Sequence, residues 1–269
     1  MLHFPELRMR RLIVQLRELT IGQAIKIASI PAHLEESSCT KFLEYATDSV
    51  KVNATSSLSE MGGVDKEDVS NPASWTIQER VMAVCHYLAS TAEDGNPNFK
   101  VGDGNYMDYL DATMESAVTP FSVGSIGGDE WFIKHMTGGM AETIEKLSGE
   151  IDGISNKLHW IVGGMACQLA RNGESVPDHS NSDFDQFIAD RMKIILEFPE
   201  TEFESLMLSY LAGREKLHHL FTTAFSDEGG IVALPIKKEG GEAVNLPPAR
   251  FPVHSCLSRL ANELAKRPD

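Results

Sequence analysis

Thr76 and Glu79 stand three residues apart at the head of an apolar repeat formed by Ile77, Val81, Val84 and Leu88. Thr-x-x-Glu is the sequence form of a capping box. The hydroxyl accepts from the backbone N–H three residues on, and the carboxylate reaches back to the N–H of the cap. Apolar groups at i, i+4, i+7 and i+11 then form one stripe along one face. A helix must therefore start near residue 77, and its stripe must be covered by a second layer. No other stretch constrains the fold as tightly.

Thr20 and Gln23 repeat the capping-box spacing, with Ile21, Ala24, Ile25 and Ala28 on one face and Pro31 as the stop. Just before it, in residues 9–17, Leu12, Val14 and Leu16 alternate with Arg11, Ile13, Gln15 and Arg17, the pattern of a half-buried strand. A second helix over residues 32–47 places Leu34, Ser38, Phe42 and Tyr45 along one side. Residues 48–74 are poor in large apolar groups and carry turn signals at Gly62-Gly63 and Asn71-Pro72, so they read as a surface excursion. After the Trp75–Leu88 block the pattern predicts a loop over 93–98, a short strand over 99–101 and a short helix over 106–114. A β-hairpin over 121–126 and 130–135 follows, turning at Gly127-Gly128.

The remainder reads as chiefly helical. Helices are expected through Met140 to Ile151, Leu158 to Leu169, and residues 183–197. A long one from Pro199 has Phe203, Leu206, Tyr210, Leu217 and Phe221 inward. A strand over 231–236, a Pro/Gly-rich arm over 240–252 and a helix over 255–266 complete the chain. The expected class is α+β: a mainly helical domain with small antiparallel β elements and extended terminal arms. It reads as one compact domain over 1–269, or as two subdomains, 1–115 and 116–269. The three tryptophans, Trp75, Trp131 and Trp160, are expected as core or interface anchors.

Charge narrows the partners. Thirty-nine acidic against 24 basic residues give a net charge of −15, which excludes a broad nucleic-acid surface. The imbalance is uneven: residues 1–30 are net +3 and residues 31–120 net −10. A basic N-terminal edge could dock an acidic neighbour. No secretory leader is expected from residues 1–18, where basic and apolar groups alternate. The longest apolar stretch, 151–170, is interrupted by Asp152, Asn156, Lys157 and His159, so no membrane insertion is expected.

Standard catalytic motifs are absent: no phosphate loop, no His-Glu-x-x-His and no Gly-x-Ser-x-Gly. Residues 178–185 resemble a calcium loop but place Asp183 where a glycine is required and Ala189 where a glutamate is required, so a polar loop capping the next helix fits better. The pairs Asp108/Asp111 and Glu142/Glu145 read as solvated helix faces, and His218-His219 point to different sides of a helix. Cys39, Cys85, Cys167 and Cys256 contain no Cys-x-x-Cys pair, which points to buried thiols in a reducing compartment. One sharper alternative stays open: the four thiols, with His86 and His254 beside two of them, hold zinc or an iron–sulfur cluster.

Three blocks carry a family likeness. They are Leu16-Arg-Glu-Leu-Thr-Ile-Gly-Gln-Ala-Ile-Lys-Ile-Ala28 with Pro31, the Trp75–Leu88 block with its sequel Tyr106-Met-Asp-Tyr-Leu110, and Leu246-Pro-Pro-Ala-Arg-Phe-Pro252. Together they resemble virion structural proteins of contractile-tailed bacteriophages, from the tail-tip and baseplate region. The resemblance implies a non-enzymatic part that binds other tail and baseplate proteins in several symmetric copies, located in the virion and assembled in the host cytoplasm. The Arg-Glu-Leu-Thr phrase is also similar to small phage proteins that assist tail or baseplate assembly, so an assembly chaperone absent from the finished virion is the alternative. No catalytic residue is implied. The ends are the expected grips: Arg8, Arg10, Arg11 and Arg17 on one side, Pro247, Pro248, Arg250 and Phe251 on the other.

Overall fold

The computed structural model describes residues 2–53, 69–92, 95–236 and 246–265. Strands β1 (Leu7–Arg8), β2 (Leu12–Leu16) and β3 (Thr47–Val52) form an antiparallel sheet in the order β1-β2-β3. Between β2 and β3 lie α1 (Ile21–Ala28) and α2 (Glu35–Ala46). The β2 pattern is read correctly from sequence: Leu12, Val14 and Leu16 are buried, and the residues between them half-buried. Both capping boxes form as well, Thr20/Gln23 on α1 and Thr76/Glu79 on α3 (Ile77–Thr91).

Past α3 the strands are short. β4 (Lys100–Val101) and β5 (Gly104–Asn105) pair with each other, and β6 (Leu110–Asp111) joins the sheet β11-β10-β6 built on β10 (Leu220–Phe225) and β11 (Ile231–Leu234). The predicted hairpin exists as β7 (Phe121–Ile126) and β8 (Asp129–Ile133). Gly127 and Gly128 both take positive φ in its two-residue turn. β9 (Leu169–Arg171) adds a third strand to it. The helices α4 (Gly138–Lys146), α5 (Asn156–Gln168), α6 (Phe184–Leu196) and α7 (Glu200–Glu215) form the second half, and α8 (Arg259–Ala265) returns to the first.

Three apolar cores result, and α3 feeds all of them. Ile77 enters the core of α4–α7. Ala83, Val84 and Tyr87 join the sheet β1-β2-β3, α1 and α2. Cys85 joins Tyr106, Tyr109 and Phe221 in a smaller aromatic cluster. Val253, Leu257 and Ala261, from the last described segment, close the N-terminal core. Trp75, Trp131 and Trp160 are all buried in these packings. Among the described residues no helix is long and apolar enough to cross a membrane.

Several expectations need correction. Part of the 48–74 excursion is β3, a full strand paired to β2, and residues 72–74 form a 3-10 turn; residues 54–68 lie outside the described residues. β3 sits at a sheet edge with no fully buried residue, so its alternation in the sequence is faint. The helix over 106–114 is a 3-10 turn (Tyr106–Asp108) leading into β6, since Leu110 pairs with Phe221. The long last helix stops at Glu215, and Phe221, read as its inward face, belongs to β10.

The extended ends lie on their own domain. Residues 7–16 form the hairpin of β1 and β2. Tyr109 donates to the Pro247 carbonyl at 2.9 Å, and Ala249 exchanges two backbone bonds with Ala233. Of the arm over 240–252, residues 240–245 fall outside the described residues.

Candidate functional site

The backbone N–H groups of α3's first turn need acceptors. Thr76 supplies one, its Oγ1 accepting from the Glu79 N–H at 3.2 Å, and Glu79 Oε2 accepts from the Thr76 N–H at 2.9 Å. The Glu79 side chain is only 3% exposed, so its charge requires a partner. Arg11 provides it at two points: Nε donates to Oε1 at 3.0 Å and Nη2 to Oε2 at 2.6 Å. Burial pushes the Glu79 carboxyl up, but the charge and hydrogen bond of Arg11 push it further down, and the net shift is downward.

This pair forms one wall of a cavity of about 280 Å³. Met9, Arg10 and Arg11 enter from the β1–β2 connection, Lys134 and His135 from the end of β8, Thr137 and Met140 from the start of α4. Asp178 and His179 come from the loop before α6, and His219 and Leu220 from the entry to β10. His135 and His219 are polar and uncharged at neutral pH, because burial disfavours their charged forms. His219 Nδ1 donates to the Leu217 carbonyl at 3.1 Å; its Nε2 therefore accepts from Thr76 Oγ1 at 3.2 Å. His135 packs edge-on against it with ring centroids 5.1 Å apart and meets Ser116 Oγ at 3.1 Å. Burial lowers both, His135 to about 3. Leu220 has φ +65, and the Phe221 N–H reaches back to the His219 carbonyl at 2.7 Å. That is a γ-turn in the left-handed region, a strained conformation for leucine, held at the cavity wall.

A second polar cluster lies behind α4. Arg80 is 1% exposed; Nη2 donates to the Glu36 carbonyl at 2.6 Å, and the Glu36 and Glu142 carboxylates lie 3.5 and 3.7 Å from the guanidinium. Gly138 makes room for it: a Cβ there would sit 1.5 Å from Arg80 Nη1. Burial raises Glu36 to about 7, with Arg80 opposing. Glu145 accepts from the Glu36 and Ser37 N–H groups at 2.8 and 3.2 Å, capping α2 from across the fold. Glu142 accepts from Thr40. The Glu142/Glu145 pair is therefore no solvated face; it ties α4 to α2. Of the other pair, Asp108 accepts from the Asn105 N–H and Asp111 from Thr113.

Cys39 and Cys256 pack against the N-terminal core and Cys85 in the aromatic cluster, whereas Cys167 lies in the core of α4–α7, 3.9 Å from the Met140 carbonyl. All four are free thiols, and burial pushes each up, Cys39 to about 11 and Cys167 to about 12. His86 is engaged with the Pro5 carbonyl at 2.8 Å. Among the described residues no group of three or more His, Cys, Asp or Glu is placed to hold a metal ion, the calcium-like loop around Asp178 included.

The proposed grips divide. Arg11 is paired to Glu79, Arg250 bonds Glu35 at 2.9 Å and the Gly229 carbonyl, and Phe251 packs against Tyr106, Tyr109 and Phe221. These three serve the fold, because each meets a buried or half-buried partner of matching chemistry. Arg8 and Arg17 keep exposed side chains with Glu6 and Asp48 beside them, Arg10 is paired loosely with Glu115 at 3.6 Å, and Pro247 and Pro248 are exposed. The cavity was not visible in the sequence, since its walls come from well-separated segments and only the Thr76/Glu79 spacing announces any part of it. No protein-family model, curated protein or solved structure matches the chain.

Proposed function

We propose that this chain is a non-enzymatic structural component of a phage tail baseplate or tail tip, acting through multi-subunit assembly. The tail-protein likeness of its three sequence blocks supports the role, and one structural observation supports the mode of contact. β3 pairs with β2 alone among the described residues. The Asn53 N–H donates to the Arg11 carbonyl at 2.7 Å, toward β2. Alternation along an antiparallel strand then turns the N–H and C=O groups of Val50 and Val52 outward. Val52 is also 52% exposed. An open edge of this kind accepts a strand from a neighbour, with main-chain bonds supplying affinity and flanking side chains supplying choice. Lys51 on β3 and Arg17, which meets Asp48 of β3, flank it with charge.

The ends do not provide the grip in this reading, because they close their own cores. The other partners are tail and baseplate proteins, the location is the virion, and assembly takes place in the host cytoplasm. Quantitative mass spectrometry of purified tailed particles made from the genome that encodes this chain tests the role. A fixed copy number per particle is expected. An assembly factor would be present in infected cells and missing from the particle, which would overturn the structural role.

A further inference from the structure

We propose that the cavity at the start of α4 binds a small organic phosphate, with the phosphate against the helix N-terminus and its organic part against an apolar wall. This is independent of how the chain assembles.

Three features converge there. The first is the helix end itself. Thr137 is the N-cap of the nine-residue α4 and lines the cavity together with Met140. The Gly138 N–H is taken by the Trp75 carbonyl at 2.9 Å, and the remaining first-turn N–H groups and the helix dipole favour an oxyanion at this position. The second is a pair of buried polar atoms that the protein's own groups leave unmatched. Thr137 is 8% exposed, yet its Oγ1 has no hydrogen-bond partner, although an N-cap hydroxyl ordinarily accepts from its own helix. His179 Nε2 is likewise buried without a partner, and its ring lies directly over Gly139, where a Cβ would come within 2.3 Å. Buried polar groups left unmatched are costly, and an oxyanion accepting from the Thr137 hydroxyl would remove part of that cost.

The third is charge. Arg10, Arg11 and Lys134 face Glu79 and Asp178 across the lining, a cationic surplus of one inside a chain of net charge −15. Arg11 and Glu79 neutralise each other at 2.6 Å, and among the described residues the carboxylate beside Arg10 is that of the highly exposed Glu115, 3.6 Å away. Arg10 is therefore able to swing onto a ligand at little cost. Met9, Pro120, Met140 and Leu220 supply the apolar wall. Together these favour a phosphate ester with a compact apolar group over a bare ion.

Calorimetric titration of the full chain with phenyl phosphate and with inorganic phosphate, at ionic strength matched by chloride, tests the site. Saturable binding is expected at millimolar concentrations or below, tighter for the ester. Arg10→Gln should weaken it about tenfold or more and Thr137→Val about fivefold, the ranges for charged and neutral hydrogen bonds. Arg8→Gln, on the neighbouring strand, should leave it within about twofold. The thermal transition of each unliganded variant reports folding, and Arg10→Gln alters a side chain exposed enough to leave the fold intact. No saturable binding overturns the proposal. So does binding that Arg10→Gln and Thr137→Val leave unchanged, or that Arg10→Gln alone weakens, because the anion then sits away from the helix.

Discussion

Arg11 and Glu79, 68 residues apart, meet in a two-point ion pair that fastens the N-terminal sheet to the first turn of α3. The same carboxylate closes the capping box of that helix. One side chain thus starts a helix and joins two layers. Removing it strands a largely buried arginine and uncaps the helix together. Glu79→Ala should cost about 3–5 kcal/mol in chemical denaturation, and Arg11→Met a similar amount, with a double mutant well short of the sum. The folded carboxyl is held below its ordinary value of 4.5. Its contribution is therefore complete above about that pH and is lost as acid titrates the folded group.

Glu36 carries the opposite sign. Its folded value, raised to about 7 against 4.5 in the unfolded chain, means that the folded state favours the protonated form. The associated stability is complete below about pH 4.5 and is lost as pH rises through 7. Arg80, Glu145, Glu35 and Glu142 are the charges that act on it. Glu36→Gln should therefore stabilise the protein more at pH 8 than at pH 5, by about 1–3 kcal/mol. Urea melts of both proteins at the two pH values give the comparison, and an equal effect at both would refute it.

Gly138→Ala tests the close approach of Arg80 to α4. The added methyl has no room beside a guanidinium that packing holds fixed, so a loss of about 2–3 kcal/mol is expected. That exceeds the gain in helix propensity of about 1 kcal/mol. A neutral or stabilising result would show that the guanidinium moves aside freely.

The elements that carried clear sequence signals were those whose information is local. Thr20/Gln23 and Thr76/Glu79 announce their helices, and Leu12, Val14 and Leu16 announce β2. Where structure depends on distant contacts the reading failed. Val50 is only half-buried and Val52 is exposed, so β3 has no buried residue to mark it. Leu217 and Phe221 sit four apart as on a helix, while the left-handed turn between them is at Leu220, a residue type that gives no warning of positive φ. Phe251 and Arg250 look like surface grips until Tyr106 and Glu35 are seen beside them. His219 reaches the cavity only because the chain leaves α7 early. His218, next to it, turns its Nε2 to the Thr223 N–H.

Val52→Pro separates folding from assembly. Proline removes an N–H that points away from β2, so the ladder to β2 keeps its bonds and the cost should stay within about 1 kcal/mol. The same change blocks strand addition at that edge. Particles assembled with this variant should contain at least about tenfold less of the chain, on the scale of one or two lost backbone hydrogen bonds and their register. Normal incorporation would move the contact to another surface.

Lys51 lies on β3 beside that edge with its side chain 67% exposed, and cross-linking mass spectrometry of intact tailed particles puts the assembly claim to its most direct test. The account predicts abundant cross-links from Lys51 to a different polypeptide or to a second copy of this chain. Cross-links from Lys51 confined to its own chain, in particles that do contain the protein, would contradict it.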